Sequence, residues 1–585
     1  MPNQNWHIKK ASLNFLRFWN EEYYYLQCMS TGINYVQDII DRNCNPVILE
    51  VKPFDDTEEA REYQKEVEEE YKLIEADYDL IYEKDSYEET LEMVRKLDPL
   101  LIVPGTEDGV ILATKLANDL NLLCNPIENL DAITLKNEMQ NRLAEKNLRH
   151  IRGKLVSSVE EAIEFYDKEG LTEVVLKPIY SAASVGVYIC REKEEMIQTF
   201  DQALSNTGIY GNRQDKILIQ ERINGIEYVV NTVSCNGIHR VTSIWKYHKI
   251  TTREGGQVYD TMQTVYELNL GESEMVEYAY DVADAMGIKY GPVHGEYMLD
   301  ENGPVLIEVN CRPCGGGMEA KYLDQIFGQH ETDSSLDSYL NPKKFHQERF
   351  KGYRPFGYGA LKLFITPKDL IAQSAPIRHI SNKLKSHYKT KITPITEGTI
   401  FEKTQDMETT SGITYLVNSN HYQLHKDIEF LRSLERNAFQ LVLSEGLNKE
   451  LIFDENEIHK NLKSFIDEIK ALGTCLLISD TIYDDLNIIQ AIPKELNEIK
   501  GKFDAVIVNL NKSLSIYNDD RITNFILNTF DRIKEGGLII IPESTYGFLP
   551  NGRIGAEALI KTLDLKIELP LHQFPKMLIA SKGKE

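Results

Sequence analysis

Two glutamates on neighbouring strand-like segments are the residues of this chain whose spacing best suits chemistry. Glu296 and Glu308 lie twelve positions apart, on two apolar runs joined by the turn Asp300–Pro304. Antiparallel pairing through this turn would bring the carboxylates side by side, with Asn310 on the same face because side chains alternate along a strand. Two adjacent carboxylates repel each other unless a cation lies between them, and carboxylate and amide oxygens suit Mg²⁺. Arg312 continues this face and could neutralise an anion, so the pattern predicts a magnesium–nucleotide site.

An acidic surface hairpin with solvated charges is the alternative explanation of this segment. The flanking residues weigh against it, because Val305–Ile307 and Val309 are apolar and Glu308 interrupts what would otherwise be a buried strand. Burying a carboxylate is costly unless its charge is compensated. The glycines at 315–317 add a flexible backbone whose N–H groups could approach an anion. Residues 311–314 form a CxxC, but no second CxxC or histidine pair accompanies it, which disfavours a zinc or redox role.

Composition and charge limit the classes of protein that this sequence can encode. A length of 585 residues exceeds one ordinary core and predicts about three to four domains. A formal net charge of −26 argues against binding to nucleic acid or to an anionic membrane. The sequence has no run of about twenty apolar residues, its first residues lack the apolar core of a secretory signal, and its eight cysteines show no framework spacing. We therefore expect a cytoplasmic protein with small-molecule partners.

Strand and helix signals alternate over the first 120 residues. Apolar runs predict strands at 23–29, 46–51 and 100–103, and helical spacing predicts helices at 33–42 and 110–120. This alternation predicts a parallel sheet whose site lies at the carboxyl ends of its strands. Glu107 and Asp108 follow the third strand, where they could be either ligands or caps of the next helix.

The middle of the chain carries further polar residues at the ends of predicted strands. Val174–Pro178 reads as a strand with Lys177 near its end, and the small-residue loop Ser181–Gly186 follows. Consecutive N–H groups in such a loop can cradle phosphates, although it is not a Walker A sequence and an ordinary hairpin is the alternative. Two apolar runs flank the dipeptide Asn224–Gly225, which predicts a second β-hairpin.

Taken in order, five elements of the sequence resemble the ATP-grasp superfamily of carboxylate–amine ligases, particularly its amino-acid (dipeptide) ligases. The elements are, in chain order, the helix Lys136–Met139, Lys177 with its loop, the segment Gln220–Ile223 with Gly225 and Glu227, the strand of Glu296, and Glu308 with Asn310 and Arg312. The resemblance covers about residues 20–435. It implies an α/β and α+β multidomain chain, with a Rossmann-like pre-ATP-grasp domain at 1–125 and a two-lobed ATP-grasp fold at 126–435, whose lid lobe spans about 150–230.

The resemblance also implies ATP and two Mg²⁺ ions as cofactors and a role for each matching residue. Lys136 and Lys177 would bind the α- and β-phosphates, and Glu227 would accept from the ribose. The adenine would be lined, largely through backbone groups, by Gln220, Glu221 and Ile223. The loop that closes over the nucleotide would contain Ser181, Ser184 and Gly186. Glu296, Glu308 and Asn310 would hold the metal. Lys177 and Arg312 would be catalytic, with Arg312 stabilising the transferring phosphoryl group and the acyl-phosphate. Phosphoryl transfer is mostly positioning and charge neutralisation, for which lysines, Mg²⁺ and an arginine are the expected parts.

The amino-acid pocket has no position-by-position match in the resemblance. Its candidates are His294, Trp245, Lys246, His248, Arg253, Gly315 and Gly316. For the five candidates that are not glycine, a structural or surface role fits the sequence equally well. The phosphate loop also departs from the family, because it is rich in Ser and Ala and contains one glycine where many relatives contain more.

Residues beyond about 440 are not needed by an ATP-grasp ligase. Strands are predicted at 475–480, 503–510 and 538–542, an amphipathic helix at 520–534 with its cap at 535–537, and a final antiparallel pair at 566–571 and 577–581. The segment 440–585 resembles the second half of a class I methyltransferase-like Rossmann domain. Because its first strand is not followed by a glycine-rich S-adenosylmethionine loop, we expect it to serve docking or dimerisation, as in a homodimer, rather than methyl transfer.

The sequence as a whole predicts an ATP-dependent ligase. ATP would phosphorylate a substrate carboxylate, expected to belong to an amino acid, and an amine would attack the acyl-phosphate to give an amide or dipeptide, ADP and phosphate. Three alternatives remain open: a carboxylate–thiol ligase or carboxylase on the same fold, a bifunctional ligase–methyltransferase, and a nucleotide-binding scaffold. The intact set of Lys177, Glu296, Glu308, Asn310 and Arg312 argues against the scaffold.

Overall fold

The fold is taken from a computed structural model of the 585-residue chain. The structure describes residues 22–26, 30–52, 74–179, 186–205, 215–251, 257–366, 381–392 except 383, 400–437 except 406 and 408, 455–492 except 480, 499–510, 529–542, 565–568 and 577–583, together with isolated residues at 61, 65, 67, 68, 71, 72, 370, 371 and 560. The chain divides into two units, Met1–Tyr247 with Thr264–Phe356 and His248–Gln263 with Gly357–Glu585. Within these described ranges, no helix is long and apolar enough to cross a membrane.

A parallel four-stranded sheet lies at the N-terminal end of the first unit. Its elements are the strands β1 (Glu22–Leu26), β2 (Asn45–Glu50), β3 (Asp79–Tyr82) and β4 (Ile102–Pro104) and the helices α1 (Asn34–Ile40), α2 (Tyr87–Leu97) and α3 (Gly109–Asp119). The strand order is β3-β2-β1-β4 and every pair is parallel, as the alternation of strand and helix signals predicted. The loop from β4 to α3 contains Glu107, which therefore lies at the carboxyl edge of the sheet.

A second four-stranded sheet follows in the same unit and consists of antiparallel pairs. After the helices α4 (Leu130–Thr134) and α5 (Lys136–Glu145), its elements are β5 (Gly153–Val156), α6 (Val159–Glu169), β6 (Val174–Lys177), β7 (Tyr188–Cys190), α7 (Lys193–Ser205) and β8 (Ile217–Glu221). The order is β5-β8-β6-β7. Phe165 of α6 and Phe200 of α7 share a hydrophobic core with Leu176 of β6. Lys177 is the last residue of β6, so the strand carries it to the edge of this core.

The third group of strands in the first unit carries the predicted acidic hairpin. The elements from here to residue 349 are β9 (Ile226–Cys235), β10 (Ile238–Thr251), β11 (Gln257–Thr264), α8 (Leu270–Ala285), β12 (Tyr290–Asp300), β13 (Gly303–Asn310), α9 (Ala320–Phe327), α10 (Glu331–Leu340) and α11 (Pro342–Arg349). Four of these strands pair antiparallel in the order β13-β12-β9-β10. Val293 and Val309 share a core with Val282 of α8, which leaves the other face of the hairpin for polar side chains.

The predicted hairpin at Asn224–Gly225 is wrong. β8 and β9, which flank this dipeptide, do not pair with each other: β8 pairs with β5 and β6, and β9 pairs with β10 and β12. The dipeptide instead lies where the chain passes from one sheet to the other. Asn224 Nδ2 donates to Glu173 Oε2 at 2.8 Å, and a Cβ on Gly225 would lie 2.6 Å from the Leu299 carbonyl oxygen. Glycine is needed here for a close backbone approach rather than for a tight turn.

The second unit begins with a further antiparallel group of strands. Its elements up to residue 437 are β14 (Tyr358–Leu363), β15 (Leu370–Ile371), β16 (His387–Ile392), β17 (Ile400–Phe401), β18 (Gly412–Asn418) and α12 (His421–Asn437). Together with β11 the order is β11-β14-β18-β16, and β15 pairs with β17. Lys362 and Arg432 both form ion pairs with the buried Asp260, and the distance from Lys362 Nζ to Asp260 Oδ1 is 2.9 Å.

A six-stranded sheet forms the C-terminal part of the second unit. Its elements are α13 (Glu455–Ile469), β19 (Cys475–Ser479), β20 (Ile489–Ala491), β21 (Phe503–Asn509), β22 (Ile533–Pro542), β23 (Leu565–Ile567) and β24 (Met577–Lys582). The order is β20-β19-β21-β22-β24-β23, parallel from β20 to β22 and then antiparallel, so the predicted final antiparallel pair is present. The predicted helix end at Lys534 is wrong, because β22 begins at Ile533 and contains Glu535, Gly536 and Gly537. Gly536 has φ +76°, and the register shifts at this point. Residues 520–528 of the predicted helix lie outside the described residues.

Candidate active site

The predicted hairpin of β12 and β13 is present and places Glu296 directly opposite Glu308. His294 lies opposite Asn310 in the same ladder. The register shifts between Glu296 and Tyr297, because Ile307 is an extra residue on β13. This bulge turns Leu306 toward the core that contains Val309, although simple alternation would place Leu306 on the face of Glu308. The hairpin can therefore keep a continuous apolar face and still present two acids and an amide together.

Lys136, the first residue of α5, is the direct partner of Glu308. Its Nζ lies 2.7 Å from Glu308 Oε2, and both side chains are nearly buried, with 8% and 12% of their surfaces exposed. Burial alone would lower the pKa of Lys136, but Glu308 and Glu107 outweigh it and raise that pKa. Burial would likewise raise the pKa of Glu308, yet Lys136 holds it below its usual value. Both groups are therefore charged, and each stabilises the charge of the other.

Lys177 lies at the end of β6 and is also buried. Burial is the largest influence on its ammonium group, followed by repulsion from Lys136, and together they lower its pKa to about 8. Attraction from Glu308, Glu296 and Glu227 opposes this shift. Two lysines that repel each other inside a protein are costly, and an anion that binds both would remove that cost.

Arg312 and Asn310 both reach a residue of the N-terminal sheet. Arg312 Nη2 and Asn310 Nδ2 each donate to Glu107 Oε2 at 3.1 Å. Glu107 is 4% exposed, and burial raises its pKa while Arg312 lowers it and Glu308 raises it further. Glu107 therefore belongs to the same charged cluster as Lys136, Lys177, Glu308 and Arg312. The sequence alone left open whether Glu107 is a ligand or a helix cap. Asp108 does not cap α3 with its side chain and instead accepts a hydrogen bond from Thr106.

His294 joins the cluster from β12. Its Nδ1 lies 2.8 Å from Asn231 Oδ1, and Asn231 Nδ2 donates to Ser243 Oγ at 2.8 Å. Burial, followed by the positive charge of Arg312, lowers the pKa of His294 to about 3, so the ring is neutral near pH 7. The hydrogen bond to Asn231 then places the ring proton on Nδ1. The lone pair of Nε2 faces Glu296 Oε1 at 3.4 Å, an arrangement that a cation or a shared proton would stabilise.

The donor set of the hairpin fits Mg²⁺ better than a metal held by protein ligands alone. Among the described residues, no group of three or more His, Cys, Asp or Glu side chains is arranged to hold a metal. Glu296, Glu308 and Asn310 offer two carboxylates and one amide, and Mg²⁺ usually takes one or two carboxylates and completes its shell with water and phosphate oxygens. The CxxC does not offer thiolates, because burial raises the pKa of both Cys311 and Cys314 to about 12. The seven cysteines that the structure describes form no disulfide.

The segment predicted to line the adenine is the end of β8 and the residues after it. Gln220 is 2% exposed, and its Nε2 has no hydrogen-bond partner among the described residues. Arg152 binds the Glu221 carboxylate, with Nη2 to Oε2 at 2.7 Å, and its carbonyl accepts from the Glu221 backbone N–H at 2.9 Å, so neither of these Glu221 groups is available to a ligand. Ile223 is half-buried, and Glu227 is buried on β9 opposite Met298.

The remaining predicted residues are only in part within the described chain. Ser181 and Ser184 lie outside it, as does Arg253, and Gly186 has φ +75° at the end of the loop. Trp245 is a core residue, with its ring 5.5 Å from that of Phe327. The other candidates of the amino-acid pocket have separate positions: Lys246 lies over the ring of Tyr228, His248 belongs to the second unit, and Gly315 and Gly316 follow Cys314. Among the candidates that the structure describes, His294 touches the cluster.

Comparison with known proteins identifies the domain that carries this cluster. Residues 171–321 match the family model of the ATP-grasp domain. This span contains Lys177, Glu296, Glu308, Asn310 and Arg312, while Lys136 and Glu107 precede it. The predicted ATP-grasp fold is therefore confirmed for the middle of the chain.

Three individual proteins are similar to this chain over more than half of its length. The chain is 29% identical over 353 residues to dapdiamide A synthase of Enterobacter agglomerans, which covers 58% of this chain and 80% of that protein. Among solved structures, it is similar to an L-amino acid ligase from Bacillus licheniformis, with a TM-score of 0.55, 15% identity, and coverage of 71% of this chain and 97% of the other. It is also similar to an N5-carboxyaminoimidazole synthase from Aspergillus clavatus, with a TM-score of 0.51, 12% identity, and coverage of 72% and 99%. The two structural likenesses concern the fold alone.

Proposed function

We propose that this chain is an ATP-dependent carboxylate–amine ligase, and that the carboxylate it activates belongs to an amino acid. The observation that carries the proposal is the buried cluster in which the cations of Lys136, Lys177 and Arg312 face the hairpin of Glu296 and Glu308. The match to the ATP-grasp family model supports the use of ATP, and the similarity of the chain to a dapdiamide A synthase supports the substrate class.

The reaction has two group transfers. In the first, a carboxylate oxygen of the substrate attacks the γ-phosphorus of ATP, the bond to the bridging oxygen breaks, and ADP leaves with an acyl-phosphate formed. In the second, the nitrogen lone pair of the amine attacks the acyl carbon, phosphate leaves with the electrons of the C–O bond, and the nitrogen loses a proton. The products are an amide or dipeptide, ADP and phosphate, and no covalent bond to the protein is formed.

The cations of the cluster have the positions expected for binding phosphate groups. Lys136 and Lys177 approach from α5 and β6, and a polyphosphate that accepts from both would relieve the repulsion between them. Arg312 presents a planar guanidinium that can bind a phosphoryl group by two parallel hydrogen bonds. Its bond to Glu107 fixes its direction from a different element of the fold. We assign Lys177 and Arg312 as the catalytic residues on this basis.

The acids of the hairpin would hold the metal. Mg²⁺ on Glu296, Glu308 and Asn310 would neutralise phosphate charge and orient the γ-phosphoryl group. The chain itself provides the donors, with Glu296 opposite Glu308 and Asn310 two residues further along β13, and it keeps Glu308 and Asn310 largely from bulk water. Two ions are proposed, as in the sequence prediction.

The nucleotide base would bind at the end of β8. A buried amide nitrogen without a partner is costly, and an acceptor atom of a ligand beside Gln220 Nε2 would offset that cost. The Glu221 carbonyl and the backbone of Ile223 would provide the remaining hydrogen bonds, and Glu227 would accept from the ribose. Ser181, Ser184 and Gly186 would lie in the loop that covers the phosphates.

The two flanking sheets are assigned more coarsely. We propose that the parallel N-terminal sheet is a Rossmann-like pre-ATP-grasp domain and that the C-terminal sheet is a truncated Rossmann-like domain for docking or dimerisation. The short β20 follows β19 in the chain and lies beside it at the edge of the sheet, which leaves little room for a cofactor loop. Calorimetry with S-adenosylmethionine tests this assignment, and binding at micromolar affinity would contradict it.

The proposal is tested by phosphate release and mass spectrometry over pairs of amino acids, with ATP and Mg²⁺. We expect one or more pairs to give ADP, phosphate and a condensed product. Glu308→Gln should reduce turnover at least about a hundredfold, because the neutral amide loses both the metal ligand and the partner of Lys136. Glu301→Gln, in the exposed turn between β12 and β13, is the matched control and should turn over at the wild-type rate. Wild-type turnover by Glu308→Gln would refute the metal assignment.

A further inference from the structure

A small cavity in the first unit is lined by residues from β9, β10 and the segment that follows Arg312. Its lining residues are Asn231, Thr242, Ser243, Cys314, Met318, Leu323, Phe327, Gln329, His330 and Glu331. The space in which the centre of a water-sized group can move is about 10 Å³, which is room for roughly one such group. The cavity therefore suits a single small polar group and not a whole side chain.

Glu331 is the lining residue whose hydrogen bonding is incomplete within the part of the chain that the structure describes. It is the first residue of α10 and is 4% exposed. Its Oε2 accepts a hydrogen bond from the Cys314 N–H at 2.9 Å, whereas its Oε1 has no hydrogen-bond partner among the described residues. A buried carboxylate oxygen without a donor is destabilising, and a cation or hydrogen-bond donor bound there would offset that loss.

The other polar groups around the cavity already have partners. Asn231 is held between Ser243 and His294, with distances of 2.8 Å to each, and the Thr242 hydroxyl donates to the Asn231 carbonyl at 3.2 Å. Gln329 accepts from Ser334. The bonding that the structure leaves incomplete is therefore at Glu331, and what it lacks there is a donor, preferably a positive one.

The cavity is connected to the catalytic cluster on two sides. Cys314, which bonds Glu331, lies two residues after Arg312. Asn231 lines the cavity and bonds His294, whose Nε2 lies 3.4 Å from Glu296. A molecule whose carboxylate faces Arg312 could therefore direct a second polar group toward Glu331.

We propose that this cavity is the subsite for the α-ammonium group of the amino acid whose carboxylate is phosphorylated, and that Glu331 Oε1 accepts its hydrogen bond. The inference rests on the proposed ligase function and specifies which part of the substrate is recognised. An ammonium group matches the cavity in size and can donate the hydrogen bond that Glu331 Oε1 lacks among the described residues. An amine enclosed here could not attack an acyl carbon, so the group is the spectator amine of the activated substrate and not the nucleophile.

The raised pKa of Glu331 agrees with this assignment. Burial raises it to about 8, against the opposing effects of the Cys314 N–H and the charge of Arg312. A carboxyl group of this kind becomes more acidic when an ammonium group binds beside it, so Glu331 would lose its proton as the positively charged group binds. A glutamate that served packing alone would be expected to have both oxygens bonded.

The test compares amino acids with their des-amino counterparts in the full-length protein. Hydroxylamine replaces the amine acceptor and traps the acyl-phosphate as a hydroxamate, so recognition of the carboxylate substrate is measured alone. The twenty proteinogenic L-amino acids are screened first with ATP and Mg²⁺. The best of them is then compared with the matching carboxylic acid, for example propionate for L-alanine, in wild type, Glu331→Gln and the control Glu301→Gln. Amino-acid binding is followed in parallel by the shift in melting temperature.

Glutamine keeps the acceptor for the Cys314 N–H and removes the charge. We expect Glu331→Gln to lower kcat/KM for the amino acid about tenfold to a hundredfold, chiefly through KM, as expected for a charge-assisted hydrogen bond. Its kcat/KM for the des-amino acid should stay within about threefold of wild type, and its melting temperature should not fall. Equal losses for both substrates, or no loss for either, would overturn the inference.

The remaining outcomes separate this inference from the proposed function. Binding of an amino acid that depends on Glu331, without any phosphate release or hydroxamate, would contradict the ligase function and retain the subsite. Turnover of amino acids with unchanged discrimination in Glu331→Gln would retain the ligase and refute the subsite. If KCl or NH₄Cl, in place of NaCl, stabilised wild type but not Glu331→Gln without an amino acid, the cavity would be a monovalent-cation site, which refutes the inference. Neither binding nor turnover of any amino acid would overturn both.

Discussion

Replacing Lys136 by methionine should lower the thermal stability of the protein and, in the absence of ATP, raise its affinity for Mg²⁺. Lys136 is the 2.7 Å partner of Glu308, and Glu107 and Glu296 lie near enough to raise its pKa. Without its ammonium group, three carboxylates face the two remaining cations, Lys177 and Arg312. Methionine has a similar length and leaves no large cavity. The excess negative charge then favours a divalent cation at the hairpin.

The expected magnitude follows from burial of the pair. Removing one partner of a buried ion pair costs about 3–5 kcal/mol, and the neighbouring cations place this case at the lower end. For a cooperative unit of about 150–250 residues, about 3 kcal/mol corresponds to a fall in melting temperature of roughly 6–12 °C. Because the chain divides into two compact units, the relevant transition is the one that Mg²⁺ and ATP together shift in the wild type. In the variant, Mg²⁺ alone should recover part of the lost stability.

Differential scanning calorimetry with a Mg²⁺ titration measures both effects. Lys146→Met, at the exposed C-terminal end of α5, is the matched control and should leave the transition and its Mg²⁺ response at wild-type values. An unchanged melting temperature in Lys136→Met would refute the energetic role of the pair. Equal Mg²⁺ responses in Lys136→Met and wild type would refute the competition between the ammonium group and the metal for Glu308.

Two further predictions concern residues away from the cluster. Glu50 in β2 is buried, accepts from Tyr71 Oη at 2.5 Å, and has a pKa raised to about 7, chiefly by burial. Between about pH 4.5 and 7, this carboxyl group keeps its proton in the folded protein but loses it in the unfolded chain, so the free energy of unfolding falls as the pH rises through this window. Glu50→Gln should therefore be about 3 kcal/mol more stable than wild type at pH 8 and similar to it at pH 4.5. Urea unfolding at both pH values measures this difference. Lys362→Met should destabilise the second unit by about 3–5 kcal/mol, because Asp260 stays buried with Arg432 as its one remaining cation, whereas the exposed Lys351→Met should change little in the same calorimetric scan.

The pairing of Glu296 with Glu308 could be predicted because it depends on local information. A short turn between two apolar runs sets the register of an antiparallel hairpin, and the register decides which side chains are opposite. The bulge at Ile307 could not be predicted, because its cause is the need to pack Leu306 against α8, which lies elsewhere in the fold. The sequence therefore predicted the pairing on the polar face of the hairpin correctly and the packing of the opposite face only in part.

Glu107 shows where sequence reasoning reached its limit. It lies 205 positions before Arg312, to which it is bonded, and a Thr-Glu-Asp-Gly segment before a helix is as typical of a cap as of a site. Its position after the third predicted strand was the one available signal, since ligands collect at the carboxyl ends of parallel strands. The Asn224–Gly225 prediction was wrong for the opposite reason. The dipeptide is strongly typical of a β-hairpin turn, but β8 and β9 pair with other strands in two separate sheets.

The arrangement of charges explains how a protein of net charge −26 can bind ATP. The cluster contains three carboxylates and three cations, namely Glu107, Glu296 and Glu308 with Lys136, Lys177 and Arg312. Because these charges balance, neither a free anion nor a free metal ion meets an uncompensated charge. ATP alone would have to take Lys136 from Glu308 and leave a buried carboxylate without a partner, and Mg²⁺ alone would have to leave the ammonium group without one. In the proposed site, the metal would take the carboxylates and the phosphates would take the ammonium groups, so that every buried charge would keep a partner. We therefore propose that the Lys136–Glu308 pair makes the site selective for the metal–nucleotide complex over either component.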